Sequence, residues 1–377
     1  MPTTRCAAAK CPSHASRITH HASRITYHVL RIAYCVFVLT ACHFPGAVRP
    51  TVKIGLVAPF EGRYRYVGYD VIYAVRLALR EANAAGGVGG YTVELAAYDD
   101  GGDPAMAIGQ ARKLAVDAEV VAAIGHFREQ TTAAALDAYA GAGIPLVAAA
   151  VFDPALTRGE ATVYRLGPTS EALAQALWQR AGSDGVVLVT DGGPLGAALV
   201  EQVSQVVSPQ DANWLRTVLA SGAHAVICDA DPVTAGEALL ALREAGWEGA
   251  FLGGPELAAP DFGAVAGEAA ENAWFVTPYP FPADVPQTAD FVAAYGSLGP
   301  HVPPPGPLAL PAYEATWVVL EALQRDIAAH GAPSRAGVAA ALATVERDGL
   351  LGHIAFDSAG NWGTAPLCWY RGRAREM

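Results

Sequence analysis

Short apolar runs of strand length alternate along this chain with longer segments whose apolar residues recur at helical spacing. The clearest unit starts with the apolar run 120–124 and passes Gly125-His126 and a polar turn into an alanine-rich helix. It returns in a second apolar run that ends at residue 150. A strand, a helix and a strand in this order form parallel neighbours. Ligands of open parallel sheets bind beyond the carboxyl ends of strands, so the turns 125–131 and 150–153 are the first candidates for a binding site.

The same alternation predicts two α/β lobes. The first is expected to hold strands at 52–58, 91–98, 120–124 and 144–150, and helices at 67–85, 105–117 and in the alanine-rich segment. The second is expected to hold strands at 186–189, 225–228, 251–253 and 274–277, and helices at 170–182, 197–207, 213–221 and 233–245. Helices at 287–295, 312–330 and 334–344 and strands within 352–361 and 365–371 are expected to close both lobes.

Composition and charge narrow the class of protein. The 377 residues suffice for two domains of ordinary size, and 52% of them are apolar, so a substantial core is available. Only 16% are charged, which disfavours a disordered or nucleic-acid-binding chain. The first 42 residues contain five basic residues and no acid, which leaves 20 basic against 36 acidic residues in the rest. An acidic body also disfavours nucleic acid and anionic membrane as partners.

The first 42 residues predict a targeting segment. His-Ala-Ser-Arg-Ile-Thr occurs at 14–19 and again at 21–26, which we interpret as translated low-complexity DNA upstream of the true start. The apolar stretch 32–41 is too short to span a bilayer and suits a signal-peptide core. It ends in Leu39-Thr40-Ala41-Cys42, which is similar to the bacterial lipobox, whose Cys becomes acylated after cleavage.

We therefore expect a signal and low-complexity segment at 1–42, lipidation at Cys42 and a linker at 43–50. A Cys that ends a signal core by chance is the alternative, and whether residues 1–28 are translated stays open. The lipid would be the chain's contact with a membrane, since we expect the body to be exported rather than membrane-spanning.

The body offers little chemistry of the kind that enzymes use. Cys228 and Cys368 are too few for a disulfide framework or a metal site, and the sequence leaves open whether they pair. It shows no catalytic Ser-His-Asp order, no zinc spacing and no phosphate loop. The turn 191–196 follows a strand but lacks the G-x-G-x-x-G spacing of a dinucleotide site. We expect no cofactor, no metal and no enzymatic activity.

Several motifs, taken together, resemble the solute-binding proteins of branched-chain amino acid transporters, which have the type I periplasmic binding fold. They are the segments 54–62, 98–104, 124–126, 143–147, 153–157, 253–256 and 352–361. The resemblance covers nearly all of residues 51–371. It implies two doubly wound lobes joined by three crossovers, with a ligand in the cleft and closure by hinge motion. It also implies an N-terminal lobe of 51–167 plus 280–360 and a C-terminal lobe of 168–279 plus 361–377.

This chain departs from the family where the ligand would be held. The family has a Ser in the turn after the Gly-His strand, where this chain has Glu129 preceded by Arg128. Phe152 stands where the family has a Thr hydroxyl, and Leu195 stands where the second lobe has a Tyr. The acid that receives the ligand amine matches Glu256 and is retained. The two cysteines of the family's N-lobe disulfide are both absent.

The physical consequences of Arg128 and Glu129 stay open at this level. A helix N-terminus favours a bound carboxylate, and Glu129 would oppose a ligand carboxylate there unless it points away or pairs with Arg128. Arg128 could instead clamp an anionic group with two hydrogen bonds. The alternative is a solvated turn in which the two side chains pair.

The candidate ligand-binding residues are Tyr64, Tyr66, Arg128, Glu129, Gln130, Phe152, Asp153, Leu195, Asp231 and Glu256. The favoured function is a monomeric solute-binding lipoprotein that passes a small polar molecule to an ABC permease. The alternatives are a sensor of the same fold without transport and, remotely, a dinucleotide-binding enzyme.

Overall fold

The computed structural model describes residues 49–157, 162–372 and 374–375. The predicted signal segment, lipobox and most of the linker lie outside these residues. Residues 50–377 form one compact unit, which contains every element described below. None of the helices in the described part is both long and apolar enough to cross a membrane.

The first lobe is built on a five-stranded parallel sheet in the order β2-β1-β3-β4-β5. Its strands are β1 (Thr51–Ala58), β2 (Thr92–Asp99), β3 (Val120–Gly125), β4 (Leu146–Ala149) and β5 (Val163–Leu166). Its helices are α1 (Arg65–Ala84), α2 (Pro104–Val116) and α3 (Glu129–Ala142). Every residue of β3, β4 and β5 is buried, as expected of parallel strands that are covered on both faces.

The second lobe is built on a sheet in the order β14-β13-β10-β9-β8-β6-β7. Its strands are β6 (Val186–Thr190), β7 (Gln205–Val207), β8 (Ala225–Asp229), β9 (Ala250–Gly253), β10 (Ala273–Thr277), β13 (Cys368–Arg371) and β14 (Ala374–Arg375). Its helices are α4 (Ser170–Ala181), α5 (Pro194–Leu199), α6 (Trp214–Ser221), α7 (Pro232–Glu244) and α8 (Pro260–Ala266). Strands β13 and β14 are antiparallel, and the rest pair in parallel.

Three further helices pack on the first lobe, although they follow the second-lobe strand β10 in sequence. They are α9 (Ala289–Gly296), α10 (Ala309–His330) and α11 (Arg335–Leu342), and α10 packs on α1 and on β3 and β4. The two-stranded ribbon β11 (Glu346–Gly349) and β12 (Gly352–Ala355) precedes the return to β13. The chain therefore passes between the lobes three times: after β5, after β10 and before β13.

A buried arginine ties two of these passages together. Arg165, in β5, has no solvent exposure, and its guanidinium donates hydrogen bonds of 2.7 and 3.0 Å to Oδ1 of Asn361. It also donates to the backbone carbonyls of Val151, at 3.1 Å, and Pro168, at 3.0 Å. Burial lowers the pKa of Arg165. All four hydrogen bonds end on neutral oxygens, so the hinge contains an arginine that is satisfied by hydrogen bonds.

Three predictions of secondary structure are wrong. The helix predicted at 197–207 ends at Leu199, and Gln205–Val207 is an edge strand paired with β6. The strand predicted at 365–371 is confined to Cys368–Arg371 and runs antiparallel to β10. Helix α1 begins at Arg65, so Tyr66 lies in a helix rather than in the predicted loop. The strands β5 and β11 are not anticipated by the pattern. In the structure, Cys228 is a buried free thiol that forms no disulfide with Cys368.

Candidate ligand-binding site

A cavity of about 140 Å³ lies where the carboxyl ends of the two sheets face each other. The turns that follow β3, β4, β6, β8 and β9 all contribute to its wall. Two of these turns contain non-glycine residues in the left-handed region, Phe127 at φ 68° and Ala150 at φ 59°. Such backbone conformations are costly and concentrate at ligand sites. The volume suits a small ligand.

Glu129, the first residue of α3, turns its carboxylate toward the neighbouring strand end. Its Oε1 accepts hydrogen bonds from the backbone N–H groups of Phe152, at 2.5 Å, and Asp153, at 3.3 Å. Its Oε2 is buried and has no hydrogen-bond partner among the residues that the structure describes. Burial raises the pKa of Glu129 to about 7, although the two N–H groups act in the opposite direction. The protein therefore places one of its own carboxylates on the N–H groups at the end of β4.

Arg128 is separate from its neighbour Glu129, and in the described part of the chain no hydrogen bond or ion pair joins them. The Arg128 guanidinium instead lies 3.4 Å from the ring centroid of Tyr64, a close cation–π contact. Its Nε is buried without a partner. The internally paired turn considered from the sequence is therefore not formed.

Asp229, at the end of β8, holds the turn that resembled a dinucleotide loop. Its Oδ2 accepts a hydrogen bond of 2.7 Å from the N–H of Gly196 and one of 3.1 Å from the hydroxyl of Thr190. A Cβ at Gly193 or Gly196 would come within 2.8 Å of the same carboxylate. The glycines of this turn therefore make room for Asp229, whose pKa is raised to about 6, chiefly by burial.

Asp231 begins α7 and has several partners. Its carboxylate accepts from the N–H groups of Val233, at 3.1 Å, and Thr234, at 3.3 Å, and from the Thr234 hydroxyl at 2.6 Å. It also forms an ion pair with Arg63, which belongs to the 3-10 helix Gly62–Tyr64 of the first lobe. Asp231 is therefore an N-cap and one half of a direct link between the lobes.

Glu256 lies in the 3-10 helix Pro255–Ala258 that follows β9, and it lines the cavity from the second lobe. Burial raises the pKa of Glu256 to about 7, and the nearby charge of Asp229 adds to the shift. A hydrogen bond from its own backbone N–H opposes that shift. Unlike Asp229 and Asp231, Glu256 bonds no other residue through its side chain in the described part of the chain.

Aromatic rings complete the wall. Tyr66, Phe127, Phe152 and Tyr279 line the cavity. The hydroxyl of Tyr279 accepts a hydrogen bond of 3.0 Å from the N–H of Ala150 and donates one to the carbonyl of Leu166. Because Tyr279 follows β10, it ties the second passage between the lobes to two strand ends of the first sheet.

Seven of the ten sequence-predicted residues line the cavity: Tyr66, Arg128, Glu129, Gln130, Phe152, Asp231 and Glu256. The other three lie behind or beside it. Tyr64 stacks on Arg128, Asp153 caps the 3-10 helix Pro154–Leu156, and Leu195 is buried. Their direct contact with a ligand stays a prediction, as do the roles of the other seven.

Sequence reasoning missed Tyr279, Thr277 and Asp191 among the lining residues. Asp191 begins the turn after β6, and its pKa is raised by burial and by the charge of Asp231. Its position after a strand was a usable signal. Tyr279 carried none, because it lies in a proline-rich connector whose path cannot be read from hydrophobic spacing.

His126, next to the site turn, faces the interior of the first lobe. Its Nδ1 lies 2.7 Å from Oδ2 of Asp100, and its Nε2 lies 3.0 Å from the hydroxyl of Tyr139, with all three side chains buried. The contacts describe a buried polar network that joins β2, β3 and α3.

Comparison with known proteins agrees with this architecture. The chain is 25% identical, over 82% of its length and 87% of the relative's, to the leucine-, isoleucine-, valine-, threonine- and alanine-binding protein of Pseudomonas aeruginosa. It is 26% identical to the Leu/Ile/Val-binding protein of Escherichia coli over 60% of this chain and 67% of that one.

Solved structures agree on the fold. The branched-chain amino acid transporter substrate-binding protein LivJ from Streptococcus pneumoniae, in complex with isoleucine, superposes with a TM-score of 0.76 at 22% identity, over 87% of this chain and 98% of that one. A solute-binding protein from R. palustris in complex with benzoate gives 0.72 at 18% identity, over 85% and 93%. These likenesses confirm the predicted type I periplasmic binding fold. The family model described as periplasmic binding protein matches residues 51–376, and the chain belongs to that family.

Proposed function

We propose that this chain is an extracytoplasmic solute-binding protein that captures a small polar molecule between its lobes and delivers it to an ABC permease. The observation that carries the proposal is the cavity itself, whose wall comes from strand ends of both sheets. Three passages of the chain join the lobes, which is the connectivity that hinge closure over a ligand uses. Relatives named for binding leucine, isoleucine and valine support an amino-acid-like ligand, and the proposal extends to amides and related compounds.

A thermal-shift screen of the full chain against a library of small metabolites tests capture. A ligand that binds only the folded state raises the melting temperature by mass action. We expect at least one amino-acid-like, amide or amine compound to stabilise the chain at micromolar to millimolar concentration. Failure of every compound in a broad library would contradict the proposal.

Uptake measurements separate transport from sensing. Cells that lack this chain are expected to lose high-affinity uptake of the radiolabelled ligand, and re-expression is expected to restore it. Normal uptake in the deletion strain, with an intact ligand response in the purified chain, would favour the sensor instead.

Anchoring at Cys42 is part of the proposal. The motif Leu39-Thr40-Ala41-Cys42 supports it, and the family is one of periplasmic proteins. Labelling of cells with a radioactive fatty acid is expected to mark the wild-type chain and not Cys42→Ala. Equal labelling of both chains, or labelling of neither, would contradict the anchor and leave ligand capture untouched.

A further inference from the structure

We infer that the ligand of this cavity is a small organic cation, an amine or guanidine without a free carboxylate. The inference rests on the proposed function, which it narrows to a class of ligand. It is supported by which polar atoms of the described cavity wall already have a hydrogen-bond partner in the protein and which are left without one.

The N–H groups at the end of β4 already donate to an acceptor within the protein. Free N–H groups beyond a strand end can bind a carboxylate. Here the N–H groups of Phe152 and Asp153 already donate to Oε1 of Glu129. A ligand carboxylate at this position would meet Glu129 instead of a donor, at a distance where like charges repel. Glu129 therefore closes this strand end to a ligand carboxylate.

Two carboxylates of the cavity wall, those of Glu129 and Glu256, keep acceptor atoms open to a ligand. Oε2 of Glu129 is buried at the cavity without a donor. Glu256 faces the same cavity from the other lobe, and among the described residues its own backbone N–H is its one donor. A buried acceptor without a donor is costly, so a ligand that supplies N–H groups to both carboxylates gains binding energy that a neutral hydrocarbon does not.

The cavity wall contains more acidic than basic side chains. Its described part contains five carboxylates, those of Glu129, Asp191, Asp229, Asp231 and Glu256, against the single guanidinium of Arg128. Arg63 neutralises Asp231 from the rim. Because burial raises the pKa of Glu129 and Glu256 to about 7, the remaining excess is negative above that pH, and the surrounding apolar side chains screen charge less than water does. An organic cation compensates this excess, whereas an anion adds to it.

Aromatic side chains also line the cavity. Tyr66, Phe127, Phe152 and Tyr279 present aromatic groups to the same space. Aromatic rings combined with carboxylates form the environment that favours organic ammonium and guanidinium groups.

Arg128 makes a zwitterion the competing ligand. Its Nε is buried without an acceptor, so a ligand oxygen could lie there. A hydroxyl or carbonyl oxygen can also accept from that N–H, less strongly than a carboxylate does, and the guanidinium is stacked on Tyr64. Arg128 therefore fits a cation that also carries a neutral oxygen, and the experiment must distinguish this case from an amino acid.

Calorimetric titration of the full chain with matched pairs provides that distinction. The pairs are agmatine with L-arginine, tyramine with L-tyrosine and isoamylamine with L-leucine, whose members differ only by the carboxylate. We expect at least one amine to bind at least tenfold more tightly than its parent amino acid. Tighter binding of the amino acid in every pair that binds, or no binding of any amine up to 10 mM, would overturn the inference. The proposed function would then stand if the metabolite screen yields another ligand, and would fail if it yields none.

Substitutions at Glu129 test the mechanism. Glu129→Gln keeps an acceptor for the N–H groups of Phe152 and Asp153 but removes the charge, and we expect amine affinity to fall at least tenfold. Glu129→Ala frees those N–H groups, so the affinity ratio of amino acid to amine is expected to rise at least tenfold. Asp137→Asn removes an exposed charge from the same helix and is the matched control, with unchanged affinity. Unchanged amine affinity in folded Glu129→Gln would contradict the inference even if Glu129→Ala does not fold.

Discussion

At the scale of single residues, the carboxylates of the cavity form two groups. Some accept several hydrogen bonds from the protein, and others keep acceptor atoms open to the cavity. Asp229 and Asp231 bond backbone and hydroxyl donors and shape the second lobe, whereas Glu129 and Glu256 retain bonding capacity toward the cavity. The sequence placed Glu129 and Glu256 in the site. It could not say which donors Glu129 would choose, because the N–H groups of Phe152 belong to a strand end 23 residues away.

Burial of Glu256 predicts a pH dependence of stability. Burial raises the pKa of Glu256 to about 7 in the folded chain, above the ordinary value of 4.5 for a glutamate. Between these two values the unfolded chain has lost a proton that the folded chain keeps. The free energy of unfolding therefore falls as pH rises from 4.5 to 7 and reaches its full loss above 7.

Glu256→Gln removes this cost. At pH 7.5 and without ligand, we expect its free energy of unfolding to exceed that of the wild type by about 1–3 kcal/mol, with little difference at pH 4.5. Urea denaturation at both pH values measures the effect. Glu244→Gln, at an exposed position of α7, is the control and is expected to change nothing. A less stable Glu256→Gln chain at pH 7.5 would contradict a buried, uncompensated carboxylate.

At the scale of elements, hydrophobic spacing predicted most of the strands and helices and failed where pairing overrides periodicity. Leu199, Val203 and Val207 are spaced as on one helix face, yet Gln205–Val207 pairs with β6 at the sheet edge. Strand β5 escaped notice because its four residues include Arg165, a charged side chain that reads as a loop and is buried through hydrogen bonds across the hinge. Long-range partners decide both cases, and a local pattern does not contain them.

The short helix α5 depends on a close contact with β8. A Cβ at Gly196 would lie 2.3 Å from the Thr190 hydroxyl and 2.7 Å from Oδ2 of Asp229. We expect Gly196→Ala to reduce the free energy of unfolding by about 1–3 kcal/mol, since strand, helix or carboxylate must shift.

The matched control for this element is Gly109→Ala. Gly109 lies within α2, and a Cβ there would meet no atom within 4 Å. Its replacement is expected to stabilise the chain by about 0.4–1 kcal/mol, because alanine favours the helix. Equal effects of both substitutions in urea denaturation would contradict the contact between α5 and Asp229.

At the scale of the whole molecule, the order of short motifs along the chain was enough to predict two lobes and a cleft between them. The bonds that hold the lobes were not predictable. The hub of Arg165 with Asn361 joins residues 196 positions apart, and the ion pair of Arg63 with Asp231 joins residues 168 apart. Both contacts lie at the passages or the rim between the lobes. The spacing of hydrophobic residues along the chain does not indicate such contacts.

The ion pair of Arg63 with Asp231 predicts an effect on closure. Arg63 comes from the first lobe and Asp231 from the second, so the pair forms only when the lobes approach. Without ligand, Arg63→Gln is expected to show a larger radius of gyration in small-angle X-ray scattering than the wild type. Because such a half-exposed pair contributes about 0.2–1 kcal/mol, ligand affinity is expected to fall by less than about sixfold. Arg76→Gln, exposed on α1, is the control, and an identical radius in all three chains would contradict the role of the pair.

A crystal structure of the full chain with the tightest-binding compound of the amine panel tests whether a small organic cation binds between the lobes. We expect one ligand molecule between the two sheets, with its nitrogen within hydrogen-bond distance of Glu129 or Glu256 and the Phe152 N–H still bonded to Glu129. A ligand carboxylate on the Phe152 N–H, with Glu129 displaced, would contradict the assignment of a cation. A ligand bound outside the cavity would contradict capture between the lobes.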